Sequence, residues 1–349
     1  MDHELGTHIV KKAWEGYDAS KVIRSIDDIS ANVSTNFVFR LTFEDDDIII
    51  AKLSNFGQHD YFKEDHRIIH SLSNNLLYPY ENFLAKSLLK NNRVYIYRYR
   101  LSGTDAWVVF YNPTRIMERL PRRLEDSHIK KLAQQTAKFH KACSRASKVL
   151  PKSSKTMRTD INSLLDQLNN DENSFGSRAQ VDLLRYHCDL YLKGRAKYAA
   201  NTFETIPVFI DWNIGNFSVS HKLEFYSRWD YDWFRMSTRM MDFYFFSRVV
   251  SDAGDRTVFS YLITTMMEKR FILFMEEYHK HNPFTINEIY FLKEAYRFFI
   301  LNYVIKDGKH FFHEQYAVKL QQEAYDIYLP SVDRDFDADV LISALKLKH

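Results

Sequence analysis

The chain has 349 residues, 45% of them hydrophobic, and a net charge of +3 from 48 basic and 45 acidic side chains. That length and apolar content support a large core divided over two lobes or domains, and the balanced charge excludes the concentrated basic face of a nucleic-acid-binding protein. Two cysteines, Cys143 and Cys188, exclude a disulfide framework, and no run of about 18 uncharged apolar residues or N-terminal signal pattern occurs, so a cytoplasmic protein with buried thiols and no membrane partner is expected.

Residues 1 to about 25 read as a helix, with Ile9, Ala13, Trp14 and Tyr17 on one face. Asn36–Phe43 and Ile48–Ser54 read as paired strands around the acidic turn Glu44–Asp47, and Lys52 sits inside the second among apolar neighbours, on a solvent face or aimed at an anion. A helix from about Asp60 to Leu72 carries Glu64 and Asp65 beside the apolar residues Ile68, Ile69 and Leu72. Strands are expected at Asn82–Leu89, Arg93–Arg100 and Trp107–Tyr111, separated by the turns Lys90–Asn92 and Ser102–Thr104. After the break at Asn112–Thr114 the pattern turns helical: an amphipathic helix capped by Asp126 or Ser127, then helices over 160–170 and 178–200, and helical texture again from Met240 to the end. The 27 Phe, 22 Tyr and 5 Trp against 9 Gly imply a core built largely of rings. The fold class is therefore α+β: an antiparallel sheet with one inserted helix over residues 1–111, then a mainly helical part over 112–349.

One β-hairpin interrupts that helical part. Val208–Ser220 contains Asp211 and Asn216 in the order D-x-x-x-x-N. Phe217–Val219 leaves the asparagine as a strand, and Leu223–Trp229 returns to deliver Asp230 beside it. Asp and Asn flank strands everywhere as turn formers, and the short pattern alone would mean no more than that. With the second aspartate attached, the hairpin gathers a carboxylate to orient an attacking hydroxyl and two hard oxygen donors for magnesium, which phosphoryl transfer requires.

In these features the sequence resembles the aminoglycoside phosphotransferase and choline kinase superfamily of small-molecule kinases, which have a two-lobed protein-kinase-like fold. The resemblance rests on Lys52 in Ile50-Ala-Lys-Leu53, on Leu132–His140, on Pro207–Phe217, on Trp229-Asp-Tyr-Asp232 and on Asp242-Phe243. It implies that Asp211 is the catalytic carboxylate, that Asn216 and Asp230 ligate Mg2+, and that Lys52 contacts the ATP phosphates with Glu64 as its helix partner, or Asp65 in competition. Ser34, Thr35 and Asn36 would offer donors in the phosphate-covering turn Ala31–Asn36, and the hinge near Phe110–Asn112 would bind adenine through its backbone. Asp242 is expected to cap the following helix, and Asp232 to be a supporting carboxylate or a surface residue.

Two departures are visible. Phe209 and Ile210 stand where the family has histidine and glycine, and the phosphate-covering turn has no glycine, although close backbone approach to phosphate is easiest there. The expected function is an ATP- and Mg2+-dependent phosphotransferase acting on a hydroxyl of a small molecule such as an aminoglycoside, an amino-alcohol or a homoserine-like compound. The alternative is a nucleotide-binding pseudokinase serving as a binding or regulatory module.

Overall fold

The computed structural model describes residues 3–31, 34–101, 103–170, 172–253 and 260–348. Asn32 and Val33 of the phosphate-covering turn, and Ser102 of the turn before Trp107, lie outside the described residues. The expected α+β order is present. Helix α1 (His3–Tyr17) precedes strands β1 (Ile23–Asp28), β2 (Phe37–Phe43) and β3 (Ile48–Ser54); helix α2 (His59–Asn75) follows, then β4 (Ile96–Leu101) and β5 (Thr104–Tyr111). The five strands form one antiparallel sheet in the order β1-β2-β3-β5-β4.

Side chains alternate across a strand, and this decides where Lys52 points. Ala51 and Leu53 belong to the core that α1 builds on one face of the sheet with Ile9, Val10, Ala13 and Trp14. Trp14 meets Phe110 edge to face at 5.2 Å and Phe43 at 4.6 Å. Lys52, in register with Val38 and Val109, therefore takes the opposite face, toward the helical half. There Ile68, Ile69 and Leu72 of α2 join the same continuous core as Ile129 and Leu132 beyond the hinge.

Two expectations fail in this half. The N-terminal helix stops at Tyr17, and Ile23–Asp28 is an edge strand whose polar sequence carries no clear alternation; pairing with β2 supplies its conformation. The segment Asn82–Leu89 is not a sheet strand. It docks on the later hairpin instead: Ala85 N–H donates to Arg228 O at 2.9 Å, and Arg228 N–H donates to Phe83 O at 2.6 Å.

The helical half contains α3 (Asp126–Ser147), α4 (Met157–Asn170), α5 (Arg178–Lys197), α6 (Phe243–Val250), α7 (Lys269–His281) and α8 (Ile286–Phe299) among its helices. Glu125 caps α3, one residue before the expected position, through a reciprocal pair with His128. Two strand pairs cross this half. The expected hairpin is β7 (Phe217–Val219) with β8 (Phe225–Arg228). A second, unexpected pair joins β6 (Ile206–Val208) to β9 (Arg235–Ser237). Rings do fill the core: Trp212 stacks on Phe246 at 4.8 Å and on Phe225 at 5.3 Å. Cys143 and Cys188 are buried free thiols, and among the described residues no helix is long and apolar enough to cross a membrane.

Two histidines in this core make stability sensitive to acid. Burial holds His66 down to about 3, where its ring bridges Phe62 O at 2.8 Å and the Tyr111 hydroxyl at 2.5 Å. Burial beside Arg297 holds His187 down to about 4. Both are neutral when folded but protonate near pH 6.5 when unfolded. Their contribution is therefore complete above about pH 6.5 and is lost as pH falls toward the folded values, by about 2 kcal/mol each at pH 5. Denaturant titrations at pH 7.5 and 5 should show a smaller acid loss for His66→Gln than for the unmodified chain; equal losses would contradict this assignment.

Candidate active site

Lys52 is nearly enclosed, and an enclosed ammonium needs anionic partners. It has two. Its Nζ lies 2.9 Å from Asp230 Oδ1 and 2.5 Å from Asp232 Oδ1. Asp232 also accepts from Asn36 Nδ2, and Asn36 Oδ1 accepts from Ser54 Oγ at 2.6 Å. Asp230 leaves strand β8 with φ +65°, in the left-handed region that aspartate tolerates better than most residues, and its Oδ1 accepts from Asp232 N–H at 3.2 Å. Lys52, with Asp230 opposing, moves above the ordinary lysine range in spite of burial. Burial raises the Asp232 carboxyl against the pull of Lys52. At Asp230 burial acts in the same direction, but Lys52 outweighs it and holds the carboxyl below the usual range.

The segment between β6 and β7 carries Asp211 and Asn216. Asp211 N–H donates to Phe209 O at 2.6 Å and Trp212 N–H to Ile210 O at 2.9 Å, so the chain turns sharply. Ile210 stands at φ +61°; a β-branched residue there costs about 1–3 kcal/mol and persists only where its surroundings over-determine it. The determinant is Asp242. Its Oδ1 accepts from Phe209 N–H at 3.0 Å and Ile210 N–H at 2.7 Å, and its Oδ2 lies 3.0 Å from His140 Nε2. His140 Nδ1 lies 2.8 Å from the Tyr278 hydroxyl, so the network places the ring proton on Nε2. The expected helix cap at Asp242 is thus corrected: its side chain makes no capping bond to α6 and holds the strained turn instead.

The predicted site residues come together in part. Asn216 Nδ2 donates to Asp211 O at 3.5 Å, and Trp229 N–H donates to Asn216 O at 3.1 Å, which sets Asp230 one residue beyond that pairing. Asp211 Oδ1 accepts from Asn213 N–H at 3.2 Å.

The predicted Lys52–Glu64 pair is not formed, and Asp65 does not replace Glu64. Glu64 accepts from Ser153 Oγ at 2.8 Å and Ser154 N–H at 2.7 Å, while Asp65 pairs with Lys155. Lys52 already has two carboxylates, and the 153–155 loop supplies donors that capture both acids of α2. The predicted phosphate donors are engaged as well. Thr35 Oγ1 donates to His310 O and its N–H to Phe311 O, Ser34 Oγ accepts from Asn36 N–H and the residue bridges Phe312, and Asn36 is tied to Asp232 and Ser54.

Arg228 escaped sequence reasoning. It is fully buried with its guanidinium 4.7 Å from the Phe209 ring centre and 4.4 Å from that of Trp212, and Nη2 donates to Asp211 O at 2.7 Å. An arginine at an inward position of the apolar strand Phe225–Trp229 was the available signal. Phe209, where the resemblance expects a histidine, packs on Phe234 at 5.4 Å and Tyr231 at 5.9 Å and has no side-chain group to hydrogen-bond. Beside Asp232 a cleft of about 510 Å³ is lined in part by Asp65, Lys155, Asp160, Arg235, Lys306 and Asp307. Among the described residues no group of three or more His, Cys, Asp or Glu side chains gathers as a metal site. The hard pair of Asp230 and Asn216 still fits magnesium, which takes one or two carboxylates and completes its shell with water and phosphate oxygens.

If Asp242 fixes the turn, Asp242→Ala leaves two backbone donors and His140 buried without an acceptor. It should lower unfolding free energy by about 3–5 kcal/mol in urea titrations; a loss below 1 kcal/mol would remove Asp242 from this role.

No protein-family model and no curated protein sequence matches the chain. Solved structures do resemble it. An amicoumacin kinase in complex with AMP-PNP, Ca2+ and Ami superposes with TM-score 0.63 at 13% identity, covering 98% of this chain and 100% of that one. The GDP complex of aminoglycoside 2'-phosphotransferase-IIIa gives 0.57 at 12% identity, covering 93% and 99%. A microcompartment-associated aminopropanol kinase gives 0.57 at 13% identity, covering 97% and 99%. At such identities the likeness establishes the fold: that of the protein-kinase-like small-molecule phosphotransferases.

Proposed function

We propose that this protein is an ATP- and Mg2+-dependent phosphotransferase that acts on a hydroxyl group of a small molecule. The observation that carries the reading is a convergence: a lysine from the sheet meets, at 2.9 Å, the aspartate that the hairpin register sets beside Asn216 and Asp211. Residues 1–111 would form the nucleotide-binding lobe and residues 112–349 the substrate lobe of a cytoplasmic enzyme.

In this reading Asp211 orients the acceptor hydroxyl and takes its proton late, Lys52 turns to the nucleotide phosphates, and Asn216 and Asp230 hold the metal. Magnesium, when bound, neutralises charge on the transferring phosphoryl group. Asp230 suits that role better than Asp232, because 39% of its side chain is exposed against 20%. The cleft beside Asp232 is the candidate acceptor site; its acids Asp65, Asp160 and Asp307 are paired with Lys155, Arg235 and Lys306 in the same lining, so its charge alone selects no acceptor. Amino-alcohols and aminoglycosides are the first to test, because aminopropanol and aminoglycoside enzymes are among the similar structures.

A second reading, a nucleotide-binding pseudokinase, is favoured by one set of observations: in the phosphate-covering turn Ser34 and Thr35 are tied to residues 310–312 and Asn36 to Asp232 and Ser54, and Glu64 is held by the 153–154 loop. ATP turnover against amino-alcohols, aminoglycosides and homoserine separates the two. Asp211→Ala should lower kcat by about 10²–10⁴-fold with nucleotide affinity nearly unchanged. Parallel loss of turnover and nucleotide binding would contradict the role given to Asp211, and absence of turnover with every acceptor would favour the pseudokinase.

A further inference from the structure

A second cavity of about 400 Å³, which shares Lys155 with the cleft beside Asp232, opens between the end of α3, the 150–157 segment, the end of α5 and strand β9. Its charged lining is of one sign: Lys152, Lys155 and Arg195 face it with the hydroxyl-bearing Ser153, Thr156 and Ser237, and no carboxylate lines it among the described residues. Lys155 has Asp65 as a partner on α2, but Lys152 and Arg195 have no ion-pair partner among the described residues. The Nε of Arg195 is sealed from solvent and meets no acceptor among the described residues.

We propose that this cavity binds a small phosphate-bearing metabolite, held by the Arg195 fork and the two lysine ammonium groups. Guanidinium matches phosphate oxygens in a planar, two-pronged geometry, and hydroxyls supply the remaining donors. The volume lies within the range of small-ligand sites and exceeds what inorganic phosphate alone would fill. The position makes the ligand an effector. Strand β9 pairs with β6, which runs directly into the Phe209–Asp211 turn, and β9 itself follows Asp232 by three residues. The 153–155 loop is the segment that holds Glu64 and Asp65 of α2. An anion drawing on Lys155 therefore competes with Asp65 and bears on both halves of the candidate active site. This effect on turnover rests on the phosphotransferase reading; the binding itself does not.

The test is calorimetric titration and thermal unfolding of the full chain with inorganic phosphate, and with phosphoserine as a small phosphomonoester, at constant ionic strength with sodium chloride as control. Saturable binding and a rise in Tm are expected, with the phosphomonoester the tighter ligand. Arg195→Gln and Lys152→Gln should each weaken binding about tenfold or more. Asn216→Ala, which alters the nucleotide cleft and keeps the Lys52 cluster, should leave it unchanged. Arg195 has no ion-pair partner among the described residues, so its variant should fold, and Lys152 on the exposed loop carries the test if it does not. A response no different from chloride, or one lost in Asn216→Ala and kept in Arg195→Gln and Lys152→Gln, would overturn the proposal. Phosphate binding without turnover on any acceptor would instead count against the phosphotransferase reading alone.

Discussion

The structure depends on one enclosed ammonium. A lysine on the covered face of a sheet is unfavourable unless anions meet it there, and removal of either side from such a cluster leaves uncompensated charge. Asp230 and Asp232 meet Lys52 from the hairpin, so the same ion cluster joins the sheet to the helical half. Two carboxylates against one ammonium leave a net negative charge, with the more exposed carboxylate facing outward. That is a suitable seat for a divalent cation and, through it, for a polyphosphate.

Around this cluster buried side chains hold the backbone. The turn that carries Asp211 lacks histidine and glycine, yet Ile210 is driven into the left-handed region and kept there by two backbone bonds to buried Asp242. Arg228 supplies a tie to the Asp211 carbonyl from a cage of two rings. The strain is thus offset by buried, hydrogen-bonded charge, the arrangement expected where backbone geometry itself is functional.

Local pattern made much of this legible. Lys52 lies in the run Ile48–Leu53, whose β-branched residues specify a strand, and strand alternation then fixes its direction. The hairpin at 217–228 announced itself by an apolar run, a polar turn and a second run, and its register carried Asp230 to Asn216. What was not legible depended on partners far away in sequence. His140 and Asp242 are 102 residues apart, and nothing near either marks the pairing. Glu64 has the position of a lysine partner on α2, but a loop 89 residues later captures it. Asp232 is one of several acids near the hairpin until Lys52 and Asn36 are placed against it. Ile23–Asp28 and Asn82–Leu89 were misread for the same reason, because the surface each docks on decides its conformation more than its own composition does.

The most direct test of the account is the metal dependence of nucleotide binding, measured by calorimetry with ATP in the presence and absence of magnesium, on the unmodified chain and on Asp230→Asn. The account predicts that magnesium tightens ATP binding to the unmodified chain and that this gain disappears in Asp230→Asn while the metal-free affinity stays nearly the same. An equal magnesium effect in both proteins, or none in the unmodified chain, would contradict it.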